Sequence, residues 1–136
     1  MNRTPALLSC ALLSCAMLSA PGALAAAEPE CRIEAQTRNT KTVVCNIPFA
    51  DSPQQFEFVA SFSGSHDDTE LALQPALDDR SLACAAGSKL ESTFEDGDIT
   101  LNCRFEVSGK VGGHAQFRTR IRWHHAEYEA HRLLRR

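Results

Sequence analysis

From residue 31 onward, apolar side chains recur at every second position and only rarely at every third or fourth. Such alternation puts one set of side chains on one face of an extended strand and the intervening set on the other. The pattern runs through Cys31, Ile33 and Ala35, then Val43, Cys45, Ile47 and Phe49, then Phe56, Phe58, Ala60 and Phe62. Leu71, Leu73 and Leu77 continue it around Pro75, and Leu82 with Cys84 follow an Asp78-Asp79-Arg80 turn. The cleanest alternations are Ile99, Leu101, Cys103, Phe105, Val107 and Ala115, Phe117, Thr119, Ile121, Trp123.

Turn-forming residues separate these runs: Asn39, Ser63-Gly64-Ser65, Gly87-Ser88, Glu95-Asp96-Gly97-Asp98, and Gly109 with Gly112-Gly113. Short alternating strands at this spacing predict an all-β fold, a small antiparallel sandwich of immunoglobulin-like type. Pro75 cannot donate a ladder hydrogen bond, so its strand is expected at a sheet edge or at a bulge. The segment Glu127–Arg136, with Tyr128, Leu133 and Leu134, lacks the alternation and is expected to form a short helix or a basic C-terminal tail.

Before residue 28 the pattern is different. Arg3, an apolar run from Ala6 to Leu18, a break at Pro21-Gly22 and the small residues Ala23–Ala27 make a secretory signal peptide. Ala25-Ala26-Ala27 places the cut before Glu28, giving a signal peptide over 1–27 and a single domain over 28–136. Pro21-Gly22 interrupts a run that would have to span about 20 residues to cross a bilayer, so no transmembrane segment is expected once the signal is removed. Leu12-Leu13-Ser14-Cys15 loosely resembles a bacterial lipobox, which makes a lipid-anchored envelope protein attached through Cys15 the alternative.

Export changes the reading of the cysteines. Cys31, Cys45, Cys84 and Cys103 are separated by 13, 38 and 18 residues, unlike the close pairs of a zinc site. In an oxidising compartment an even set reads as disulfides. Folding residues 31–45 about Arg38 sets Cys31 against Cys45 across a hairpin, with Asn39 available for a left-handed turn position, and leaves Cys84 to pair with Cys103. All four fall in phase with the apolar faces, which predicts sulfurs inside the sandwich.

Residues 28–136 carry 17 acidic and 13 basic residues, a formal charge of about −4, which gives no sign of nucleic-acid binding. The charges are uneven: 51–98 holds 11 acids against Arg80 and Lys89, and 101–136 holds 8 bases against Glu106, Glu127 and Glu129. The polar face of the run ending at Trp123 reads Gln116, Arg118, Arg120, Arg122, His124. A row of cations about 7 Å apart suits an acidic protein, an anionic glycan or a phospholipid headgroup, or else protects a sheet edge from pairing.

His66, Asp67, Asp68, His124 and His125, with His114, are the candidate zinc or copper ligands. On a continuous strand His124 would point out with the arginines and His125 inward with Trp123, so the two would join one site only if the strand ended there. The acidic loops lack the alternating oxygens of a calcium site. No Gly-x-Ser-x-Gly elbow, paired carboxylate cleft or glycine-rich phosphate cradle is present, and no catalytic residue or cofactor is assigned.

The expected function is an exported, periplasmic or secreted, non-enzymatic binding or inhibitory module facing a protein or anionic glycan through Arg118, Arg120 and Arg122. A periplasmic zinc- or copper-binding protein is the alternative. Intact mass of the protein from its host should correspond to a start at Glu28, and alkylation should add four groups only after reduction. Acyl chains on Cys15 would instead establish the lipid-anchored form.

Overall fold

A computed structural model describes residues 28–136, so the signal peptide, its cleavage and the Cys15 alternative lie outside the described residues. The described chain is all-β: β1 (Glu30–Gln36), β2 (Thr40–Pro48), β3 (Gln54–Gly64), β4 (Glu70–Leu77), β5 (Arg80–Ser81), β6 (Glu91–Thr93), β7 (Gly97–Val107), β8 (His114–His124) and β9 (Ala126–Arg135). Every pairing is antiparallel. One sheet runs β1-β2-β8-β4-β5, with β6 also on β4, and the other runs β7-β3-β9.

The alternation decides what faces what. Val43, Cys45 and Ile47 of β2, Phe117 and Ile121 of β8, the phenylalanines of β3 and Ile99, Leu101 and Cys103 of β7 are all at most 2% exposed and form one core. Phe117 bridges the sheets, its ring 4.6 Å from Phe105 and 5.3 Å from Phe58. Each such ring, fully buried, stabilises the fold by about 1.5–3 kcal/mol.

Both disulfides have the expected pairing, Cys31–Cys45 across β1 and β2 and Cys84–Cys103 between the segment after β5 and β7. Their placement departs from expectation: Cys45 and Cys103 are buried, but Cys84 is half-buried and Cys31 exposed. A sheet of six strands faces one of three, so its outermost strand, β1, finds little to pack on, and all seven of its residues are exposed.

The turn between β1 and β2 does not use a left-handed Asn39. Thr37 N–H donates to Thr40 O at 2.9 Å and the two threonine hydroxyls meet at 2.6 Å. Among the described residues the left-handed non-glycine ones are Asp78 (φ 50°), Asp79 (φ 65°) and His125 (φ 52°). Asp78-Asp79 forms a two-residue link with Leu77 paired to Arg80, the pattern of a type I′ hairpin.

Pro75 sits in a strand flanked on both sides, yet in a gap. β6 covers Glu70–Ala72 and β5 covers Ala76–Leu77, and the Pro75 carbonyl accepts from Leu82 N on that outer side. A residue's N–H and C=O point to the same side of a strand, so the donor that proline lacks would have faced this gap and not β8.

The C-terminal segment is neither helix nor tail. It forms β9, paired along β3 from Gly64↔Ala126 to Phe56↔Arg135, with a bulge opposite Ser61 and Phe62. The extra residue, Glu129, shifts the phase, so the inward side reads Ala126, Tyr128, then His131, Leu133, Arg135. A three-residue step from Tyr128 to His131 imitates helical spacing.

His131 is half-buried on this inward side, its ring 5.9 Å from Phe58 and its Nδ1 against the Tyr128 hydroxyl, and Lys41 Nζ lies 4.1 Å over the Tyr128 ring. Burial, and then the Lys41 charge, hold His131 below its ordinary 6.5, and burial pushes Tyr128 up to about 12. The unfolded chain therefore takes up a proton on His131 before the folded one does, and stability falls as pH drops below 6.5. Replacing His131 with Phe should flatten the pH dependence of the denaturation midpoint between about pH 7 and 5, above the range where Glu57, Asp68 and Glu95 take up protons. In a second measurement, Cys84→Ala with Cys103→Ala should lower unfolding free energy by about 3 kcal/mol, read by chemical denaturation against the unmodified domain.

Candidate functional site

Two sets of polar residues stand on β8, one along its outer face and one at its end. β8 lies between β2 and β4 in the middle of the larger sheet, so its arginines do not protect an edge. They alternate with buried Phe117, Thr119, Ile121 and Trp123 and therefore project from the solvent face.

The three arginines differ in surroundings. Arg118 donates from Nη1 to Asp79 Oδ1 at 2.8 Å and from Nη2 to Glu34 Oε2 at 2.9 Å, reaching from the β4–β5 turn to β1. The Glu34 hydrogen bond and charge, with a smaller part from Asp79, raise its already high pKa. Val44, its partner in register, is 0% exposed although it faces away from the core. Arg120 and Arg122 are exposed, have no ion pair among the described residues, and are flanked in register by uncharged Thr42 and Gln74, and Thr40 and Ala72.

At the end of β8 the chain changes course. His125 takes up a left-handed conformation between β8 and β9, so the alternation stops and its ring does not turn inward behind Trp123. Instead the His124 and His125 rings lie 4.0 Å apart. His125 Nδ1 is 2.6 Å from Asp68 Oδ1, and one ligand atom from each of Asp68, His124 and His125 lies within 4.8 Å of the others. The hydrogen bond from His125 holds the Asp68 carboxyl below its ordinary range, helped by the charges of both histidines.

This turn is anchored from below. Thr69, 1% exposed, donates from Oγ1 to His125 O at 2.8 Å, and its own N–H bonds His66 O at 3.1 Å, closing the loop that carries Asp68. Trp123 stacks on Tyr128 at 5.2 Å, pinning the chain on both sides of the histidines.

Of the other candidate ligands, His66 brings its ring to 5.4 Å from His125, whereas Asp67 lies outside the cluster. His114 starts β8 and so stands at the opposite end of the strand. Beside the cluster lies an open cleft of about 500 Å³, lined by Ser63, Ser65, His66, Asp96, His125 and Glu127. Asp96 and Glu127 were not legible as site residues, because they meet only through the pairing of β3 with β7 and β9. Glu34 and Asp79 were missed for the same reason, being 84 and 39 residues from Arg118.

Thr69→Val removes the hydroxyl that holds the His125 carbonyl at nearly constant volume. It should cost about 1 kcal/mol, measured as a shift in denaturation midpoint. The chain matches no protein-family model, no curated protein and no solved structure, so the chemistry of both surfaces rests on their own geometry.

Proposed function

We propose that this domain is an exported, non-enzymatic binding module that docks an anionic glycan on the outer face of its larger sheet. The observation that carries the reading is the pair Arg120 and Arg122, exposed on a central strand and without carboxylate partners among the described residues. Cations already paired within the fold, such as Arg118, have little attraction left for a ligand, whereas these two offer guanidinium forks to sulfate, phosphate or carboxylate groups.

Their surroundings favour a glycan over an acidic protein. Protein interfaces are anchored on buried aromatic and aliphatic side chains, but the in-register neighbours here are Thr40, Thr42, Ala72 and Gln74. Among the described residues the large exposed apolar ones are Ile33, Phe94 and Val111, none of them among these neighbours. Export through the 1–27 signal peptide is part of the proposal, and two disulfides are consistent with an oxidising location. The scaffold shares with immunoglobulin domains its two antiparallel sheets. Its order is its own, since an immunoglobulin sheet runs A-B-E-D and here β2 pairs with β8.

Titration with a sulfated polysaccharide should show binding that weakens with added salt and falls at least tenfold in Arg120→Glu/Arg122→Glu. Equal binding by the double variant removes this face as the docking surface. Binding to an acidic protein but not to the polysaccharide replaces the glycan by that class.

A further inference from the structure

The junction of β8 and β9 has features that a simple turn does not need. The His124 and His125 rings lie 4.0 Å apart with their planes tilted by 32°. A histidine, not a glycine, occupies a left-handed conformation at φ 52°, fixed by a buried threonine hydroxyl. Strained backbone of this kind persists where the surrounding structure enforces it. Here it turns His125 toward Asp68 instead of into the core.

We propose that Asp68, His124 and His125 form a binding site for a divalent transition metal, Zn²⁺ or Cu²⁺. Two neutral imidazoles and one ionised carboxylate are a borderline donor set, suited to these ions and not to calcium or magnesium. The ligand atoms lie within 4.8 Å of one another, and a tetrahedral site with bonds of about 2.0–2.1 Å needs donors about 3.3 Å apart. All three side chains are exposed, so rotation about their χ angles can close the difference without moving the core.

The ion takes the place of the hydrogen bond between His125 and Asp68. Where Nδ1 is the ligating atom, its proton is lost and Nε2 carries the proton of the neutral ring, or the Nδ1 proton is released to water if the ring began as imidazolium. Three protein ligands leave a fourth position open beside the cleft, where water or an exchangeable ligand completes the sphere. His66 stands at the same end, with its ring 5.4 Å from His125.

The ligands are distinct from Arg120 and Arg122, although Arg122 precedes His124 on the same outward row of β8. The test is calorimetric titration of the purified disulfide-bonded protein with Zn²⁺ and with Cu²⁺, alongside a competing chelator of known affinity. One equivalent should bind, with affinity falling as pH drops and the imidazoles protonate. His124→Ala, Asp68→Asn and His125→Asn should each weaken binding at least tenfold. Asparagine tolerates the left-handed region and so keeps the turn at position 125. His114→Ala, at the far end of β8, should bind as the unmodified protein does. Absence of uptake by the unmodified protein, or loss shared equally by His114→Ala, overturns the proposal. Unchanged affinity in His124→Ala and Asp68→Asn, both at exposed positions where folding can be verified by the retained thermal transition, does so as well.

Discussion

The stack of Phe105 on Phe117, with Phe58 against the same ring, holds the two sheets face to face. These rings come from β7, β8 and β3, so one cluster joins the central strands of both sheets across the core. Because it fixes β8 by its inward side, every outward residue of that strand is fixed too. The arginines project from one face for the same reason that Phe117 and Ile121 are buried at the other. The histidines can depart from this rule only where β8 ends. Site and core are thus two consequences of one alternation, and a one-residue register slip would destroy both.

Electrostatics then sorts residues that the alternation treats alike. Glu57, on the outer side of the smaller sheet, is 8% exposed, and burial alone would raise its pKa. The hydrogen bond from Asn102 and the charges of Arg136 and Arg104 outweigh that effect and keep it low. The acidic middle and the basic C-terminal part of the chain therefore do meet, as Glu57 with Arg104 and Arg136 and as Asp79 with Arg118. Arg120 and Arg122 lie on the same strand as Arg118 yet form no ion pair with an acid among the described residues.

Much of this architecture was legible because period-two alternation is a local signal and the core depends on it directly. The strands around Val43, Phe58, Leu101 and Phe117 were readable from single-residue phase alone, and the hairpin geometry of residues 31–45 was enough to pair the cysteines. β9 was not readable, because the bulge at Glu129 resets the phase halfway along and makes Tyr128 and His131 look like helix neighbours. β6 is three residues long and exists only by pairing with β4. The meeting of Asp68 with His124 and His125 needed a backbone conformation that sequence does not announce at a histidine. Asp68 could be named as a ligand candidate, but its partner at residue 125 depends on the β8–β9 turn.

The exposed position of Cys31 has a consequence for the life of the chain before oxidation. β1 buries none of its own residues, so its attachment to β2 depends on backbone hydrogen bonds, the Arg118–Glu34 bridge and the covalent link to Cys45. In the reduced state the covalent link is missing and β1 is the strand most easily detached. Its departure would uncover the hydrogen-bonding edge of β2 beside Val43 and Val44, and an open edge next to apolar side chains is a template for pairing with another chain. The Cys31–Cys45 bond, placed at the rim, therefore guards against self-association more than it strengthens the core.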